Sequence, residues 1–226
     1  MPLLYLVTES DRDAVFYRKC AERLGRRQFT DSRSLRNRTG DGSEPVKKQL
    51  RYALQQARNS AAGGEEVCFI AAIDNDRSPH PENQRSLQRE KLSRREQDSP
   101  ARLPWMEETV TAMLGRNRAV WPMRVGMAVP VEMIESWTVK ALGKDRPGGP
   151  MPHFSWRDDA GARDYYHPVK APAQWKDLEQ TARDHCDKQD DSAFYEHVVA
   201  TISDDPAVLR DKSPSFALFH DQLAAW

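Results

Sequence analysis

The stretch Val67-Cys68-Phe69-Ile70-Ala71-Ala72-Ile73, followed at once by Asp74-Asn75-Asp76, decides how the rest of the chain is interpreted. A short, continuous apolar run rich in β-branched side chains is typical of a strand buried on both faces of a parallel sheet. Ligands of open α/β sheets bind beyond the carboxyl ends of the strands. Asp74 and Asp76 are therefore candidates for chemistry, since two acids on an extended backbone can hold one hard cation between them. The alternative is an acidic turn that caps the next segment.

Length and composition limit the class of protein. The chain has 226 residues, which is enough for one domain with a substantial core. Its 34 basic residues balance its 34 acidic residues, so any nucleic-acid surface must come from local clustering. The three cysteines lie far apart without C-x-x-C spacing, which argues against a zinc site or a disulfide scaffold. Without a signal peptide or a run of eighteen apolar residues, we expect a cytoplasmic protein with no membrane contact.

The first 75 residues alternate between strand and helix patterns. Leu3-Leu4-Tyr5-Leu6-Val7 predicts a second buried strand, and the N-cap candidates in Thr8-Glu9-Ser10-Asp11 predict that a helix begins there. A short strand is expected around Phe29, and an amphipathic helix from Glu44 to Ala61. This βαβα order predicts an α/β fold with a mostly parallel sheet flanked by helices.

The rest of the chain is expected to be mainly helical, with two long polar excursions at 77–102 and 153–169. One or two strands are predicted within 119–129. Helices are predicted over Trp105–Gly115, from Pro130 onward, and over Pro172–Leu178, Ala182–Cys186, Phe194–Ile202 and Ser213–Leu223. We expect a catalytic core over residues 1–143 and a loop-rich, then helical, C-terminal extension over residues 144–226 that packs on it.

Acidic residues follow the first strand as well as the central one. Glu9 and Asp13 follow the first strand, as Asp74 and Asp76 follow the central strand. If the two strands are parallel neighbours, all four carboxylates emerge at the same edge of the sheet. Carboxylates at such close range cannot all stay ionised without cations between them. Oxygen-only ligands favour Mg²⁺ or Mn²⁺ over zinc.

These residues resemble a known family. Strand-Glu9-x-x-x-Asp13, followed about 60 residues later by strand-Asp74-x-Asp76, resembles the Toprim domain of topoisomerases, bacterial primases and OLD-family nucleases. Pro130-Val131-Glu132-Met133-Ile134-Glu135-Ser136-Trp137 is similar to a helix of the small stand-alone Toprim-like proteins encoded beside ATPases in bacterial defence loci. Those chains also end in a Ser-x-Ser-Phe helix, as Ser213-Pro214-Ser215-Phe216 does here. The chain departs from the pattern at Ser10, where Toprim proteins usually have glycine.

The resemblance implies a metal-dependent nuclease that acts as the effector subunit of an anti-phage defence complex, beside a co-encoded ATPase. It assigns catalysis to Glu9, Asp74 and Asp76, with Glu9 as a ligand or a general acid/base. It assigns Mg²⁺ or Mn²⁺ binding to Glu9, Asp13, Asp74, Asp76 and Glu135. For Glu135 the alternative is helix-dipole compensation. The basic residues expected at a DNA or RNA substrate are Arg33, Arg36, Arg38, Arg89, Lys91, Arg94 and Lys140.

Two other functions stay open on the sequence. The first is a catalytically silent Toprim-fold adaptor that keeps the acids but binds a partner ATPase or a nucleotide. The second is a phosphatase or phosphotransfer domain with Asp74 as the nucleophile. Loss of a single carboxylate should abolish the activity of a nuclease, whereas an adaptor should tolerate it. The sequence does not determine the oligomeric state, and it is compatible with a homo-oligomer.

Overall fold

Four parallel strands form the sheet in the part of the chain that the structure describes. The structure is a computed structural model, and it describes residues 1–34, 43–74, 102–130, 134–142, 172–211 and 213–226. The strands are β1 (Leu3–Val7), β2 (Asp31–Ser34), β3 (Val67–Ala72) and β4 (Arg124–Ala128), in the order β2-β1-β3-β4. Every pairing is parallel, with Leu3 opposite Val67 and Cys68 opposite Arg124. The prediction of a parallel α/β sheet flanked by helices is confirmed.

Helices cover both faces of this sheet. They are α1 (Asp11–Arg23), α2 (Ser43–Ala62), α3 (Arg102–Leu114), α4 (Ile134–Leu142), α5 (Pro172–Cys186), α6 (Asp191–Asp204), α7 (Ala207–Arg210) and α8 (Pro214–Ala224). Alternate residues of β1 point to opposite faces. Leu3, Tyr5 and Val7 join one core cluster with α2 and α3, whereas Leu4 and Leu6 join a second cluster with α1, α4 and the C-terminal helices. Burial on both faces explains the continuous apolar runs of β1 and β3.

The C-terminal helices supply much of one helical layer. Trp137 of α4 is fully buried, stacks on Phe219 of α8 with ring centroids 6.0 Å apart, and meets Phe216 edge to face at 5.1 Å. Helix α6 packs along α1, and α8 packs on β4. The proposed boundary between residues 143 and 144 lies outside the described residues, and it stays a prediction.

One edge of the sheet is closed by a side chain of α8. The backbone N–H of Met127 in β4 donates a hydrogen bond to Oε1 of Gln222 at 2.6 Å. Gly126, next to it, lets α8 approach closely, because a Cβ atom there would lie 3.2 Å from the ring of Phe219. The bond satisfies one of the backbone groups that an edge strand leaves unpaired.

We expect Gly126→Ala to lower the free energy of unfolding by about 1–3 kcal/mol, the usual cost of overpacking a core. Phe219 is held by Trp137 and Phe216, so it has little room to move away from an added methyl group. Urea denaturation measures the loss. A cycle with Phe219→Leu provides the control, since the double variant should lose less than the sum of the single losses. Strict additivity would contradict the proposed clash.

Several predicted elements differ from the structure in their bounds. The strand expected around Phe29 is Asp31–Ser34, while Phe29 is buried before it. The region 119–129 holds one strand, after a 3₁₀ turn at Arg118–Val120. The two helices predicted over 172–178 and 182–186 are one continuous helix, α5. The polar excursions fall almost entirely outside the described residues. No helix in the described ranges combines the length and apolar character that crossing a membrane requires.

Candidate functional site

The candidate site lies where the connections of the sheet reverse direction. From β1 the chain moves outward to β2 on one side, and then returns past β1 to β3 and β4 on the other side. The helices that follow β1 and β3 therefore leave on opposite faces, which opens a crevice between the carboxyl ends of these two strands. Val7 of β1 pairs with Ala71 of β3, so Glu9 and Asp74 emerge side by side at this crevice.

Glu9 and Asp74 are in direct contact. The backbone N–H of Asp74 donates a hydrogen bond to Oε1 of Glu9 at 3.0 Å. Both residues are half-buried. A carboxylate has about four acceptor sites, so this bond is compatible with metal coordination by Glu9. The structure thus brings together one predicted acid from each of the two strands.

Asp13 lies one helical turn further on and has a structural role at the start of α1. Ser10 is the N-cap residue, and its Oγ accepts a hydrogen bond from the N–H of Asp13 at 3.1 Å. In return, Oδ2 of Asp13 accepts from the N–H of Ser10 at 3.0 Å, which completes a capping box. Burial raises the pKa of the Asp13 carboxyl above its ordinary value, and the bonds from Ser10 only partly offset this. Ser10, the departure from the Toprim pattern, is therefore the residue that starts α1.

Tyr17, which the sequence did not single out, lies next to these carboxylates. It follows Asp13 by one turn of α1 and is 1% exposed. Burial raises the pKa of the Tyr17 phenol well above its ordinary value, and the negative charges of Asp74, Asp13 and Glu9 raise it further. The phenol therefore stays protonated at neutral pH, and it places an uncharged polar group beside three acids.

Glu135, the fifth predicted ligand, lies in the first turn of α4 and faces the start of α1. Its side chain is 5% exposed, and Oε1 lies 3.5 Å from Nη1 of Arg12. Arg12 directly precedes Asp13, so this ion pair links the start of α4 to the start of α1. The assignment of Glu135 as a metal ligand stays a prediction, and in this structure a cation of the protein itself contacts it.

Arg12 belongs to a buried ionic network that joins α1 to the C-terminal helices. Besides Glu135 it contacts Glu179 of α5, which is 1% exposed. Glu179 also pairs with Arg183 at 2.8 Å, and Arg183 reaches Asp191 at the start of α6 at 2.7 Å. Arg183 is 3% exposed. Two arginines and three acids therefore hold α1, α4, α5 and α6 together beside the candidate site.

Further polar and aromatic contacts complete this network. Thr138 donates a hydrogen bond to Oε2 of Glu179 at 3.2 Å. The guanidinium of Arg183 lies 4.1 Å from the ring centroid of Phe194. Burial raises the pKa of Glu179, against the opposing attraction of Arg12 and Arg183. The sequence analysis missed this network, and the i, i+4 spacing of Glu179 and Arg183 is the signal that could have indicated part of it.

The donor atoms present suit a hard divalent cation, but the described residues supply only part of a site. Among them, no group of three or more histidine, cysteine, aspartate or glutamate side chains could hold a metal ion. Glu9 and Asp74 provide carboxylate oxygens at one crevice, and Asp76 lies outside the described residues. Oxygen-only ligands fit Mg²⁺ or Mn²⁺. The predicted metal set therefore depends on Asp76 to complete it.

The predicted nucleic-acid contacts are mostly outside the described part of the chain. This applies to Arg36, Arg38, Arg89, Lys91 and Arg94, and to the side chain of Lys140. Arg33 lies on the edge strand β2, where Nη1 donates to the hydroxyl of Tyr5 at 2.8 Å. Its guanidinium also lies 5.5 Å from the ring centroid of Tyr5.

Comparison with protein-family models, curated protein sequences and solved structures found no match to this chain. The Toprim resemblance therefore depends on the short motifs quoted above, and membership of that family stays a proposal.

Proposed function

We propose that this protein is a Toprim-like, Mg²⁺- or Mn²⁺-dependent nuclease. The observation that carries the proposal is the contact between Glu9 and Asp74 at the carboxyl ends of adjacent parallel strands, where the sheet reverses direction. Two acids from different segments of the chain meet where α/β proteins place their ligands.

Each residue has a separate role in this proposal. Glu9, Asp74 and Asp76 would hold the cation, which would supply Lewis-acid stabilisation of negative charge on the phosphate. Alternatively, Glu9 would serve as the general acid/base instead of as a ligand. Asp13 sets the direction of α1 through the capping box.

On the motifs near Glu135 and Ser213, we further propose that the protein is the effector subunit of an anti-phage defence complex with a partner ATPase. The second candidate function is a catalytically silent adaptor for such an ATPase. The structure contains one observation that favours the adaptor: Asp13 is engaged in the cap of α1, and Glu135 contacts Arg12. In a protein without catalytic activity, acids that are kept for stability would have structural partners of this kind.

Metal-dependent cleavage separates the two candidates. We expect the wild type to cut at least one of plasmid DNA, single-stranded DNA and total RNA in Mg²⁺ or Mn²⁺. Addition of EDTA should stop this cleavage. The panel is run with the protein alone and with the co-encoded ATPase. No cleavage under either condition, together with stable binding to the ATPase, would favour the adaptor and overturn the nuclease.

A further inference from the structure

Two clefts open at the amino-terminal end of the sheet, away from the candidate site. One has a volume of about 460 Å³ and is lined by Trp121, Arg118 and Arg124, and the other has about 520 Å³ and is lined by Arg23, Arg26 and Arg27. Trp226 lines both clefts. The distance along β3 from this end to Asp74 is roughly 23 Å at the usual rise of a strand.

Positive charge dominates the lining of these clefts. Five arginines line them, against one acidic residue, Glu66. Two of the five also pair with acids outside the lining, Arg23 with Glu196 and Arg118 with Glu107, and Arg27 donates a hydrogen bond to the backbone oxygen of Trp226. Glu66 lies between two of the arginines: its Oε1 is 3.0 Å from Nη1 of Arg27 and 3.8 Å from Nε of Arg124. Its side chain is 49% exposed, so these are surface ion pairs of low strength. A phosphate group can replace such a carboxylate and accept hydrogen bonds from the same guanidinium groups.

The arginines are also accessible. The side chains of Arg23, Arg118 and Arg124 are 40% to 55% exposed. Arg26 is exposed as well, and it has no hydrogen bond or ion pair with any described residue. Its φ of 49° lies in the left-handed region that glycine and asparagine usually occupy at the end of a helix. An arginine at this position therefore has no evident role in the stability of α1.

The two tryptophans add flat aromatic surfaces to this charge. Trp121 and Trp226 are half-buried, and the guanidinium of Arg118 lies 5.5 Å from the ring centroid of Trp121. The Nε1 atom of Trp226 is shielded from solvent and has no acceptor among the described residues. Arginines that bind phosphates, next to aromatic rings on which bases stack, are the chemistry of single-strand nucleic-acid sites.

We propose that these two clefts bind a single strand of nucleic acid, with a base stacked on Trp226 and phosphates on the arginines of both sides. Two basic clefts that share one tryptophan fit a strand that continues from one cleft to the other better than one free nucleotide. The site is separate from the carboxylates and needs no metal ion. Failure of the nuclease proposal would therefore leave it unaffected.

Fluorescence anisotropy of labelled oligothymidylate, in EDTA and at low salt, tests the proposal on the full chain. We expect Trp226→Leu to weaken binding by about 5- to 100-fold, the range for losing one stacked base. Arg26→Asn, which suits the left-handed φ, should lower the slope of log affinity against log salt by about one. Glu66→Gln should tighten binding by about 2- to 5-fold, because it removes the competing carboxylate.

Arg51→Ala on α2 is the matched control, since Arg51 is exposed and lies outside both clefts. Wild-type affinity in Arg51→Ala, together with the effects expected for Trp226→Leu, Arg26→Asn and Glu66→Gln, would support the site. Absence of binding by the wild type would overturn the proposal, as would unchanged binding in both Trp226→Leu and Arg26→Asn. Binding of ATP as tight as that of the oligonucleotide would overturn the assignment to a strand.

Discussion

Glu179→Ala is expected to lower the free energy of unfolding by about 3–5 kcal/mol, the usual cost of removing one partner from a buried ion pair. Glu179 is 1% exposed, and it is the acid that Arg12 and Arg183 share. Without it, the guanidinium of Arg183 stays buried with less compensation than before. Urea denaturation at neutral pH, followed by circular dichroism, measures the loss.

Glu196→Ala is the matched control for this change. Glu196 also bridges α1 to a C-terminal helix and also contacts two cations, Lys19 and Arg23, but its side chain is 37% exposed. Exposed pairs contribute about 0–1 kcal/mol, so this variant should be nearly as stable as the wild type. Equal losses in the two variants would show that burial of the network does not determine its contribution.

Glu9→Gln is expected to reduce metal-dependent cleavage by about 10²- to 10⁴-fold, the range for losing a group that transfers a proton. Asp74→Asn should also reduce cleavage, because an amide replaces a carboxylate ligand of the cation. The expected loss of activity comes from the lost negative charge and not from unfolding. Glutamine at position 9 still has a carbonyl oxygen that accepts the hydrogen bond from the N–H of Asp74, so the local structure should be retained while the charge is lost. Single-turnover cleavage and thermal denaturation, measured on the same samples, separate the two effects.

Glu65→Gln is the control for these variants, because Glu65 is exposed and lies before the amino end of the same strand. It should cleave like the wild type. Cleavage by Asp74→Asn at the wild-type rate would refute the assignment of Asp74. A lower melting temperature in Glu9→Gln, in parallel with its activity, would instead indicate that Glu9 acts mainly through its bond to the backbone of Asp74.

The sequence by itself determined the class of the fold, and it predicted the edge of the sheet at which a candidate site would lie. Seven apolar residues between Val67 and Ile73 require burial on both faces, and a second such run at Leu3–Val7 requires the same. Parallel pairing of two such strands places the residues that follow them at one edge. The nearness of Glu9 to Asp74 was therefore predicted on the condition that the two strands are parallel neighbours, and the structure shows that pairing.

Only the tertiary structure decided what the other charged residues contact. Arg12 and Glu179 are 167 positions apart, and their pairing depends on how α5 packs beside α1, which no local pattern encodes. The same is true of Glu135, whose partner comes from α1, and of Trp226, which helps form two clefts with residues of α1 and β4. Periodicity specifies which face of a helix is buried. The charges that meet there depend on the packing of helices far apart in the chain.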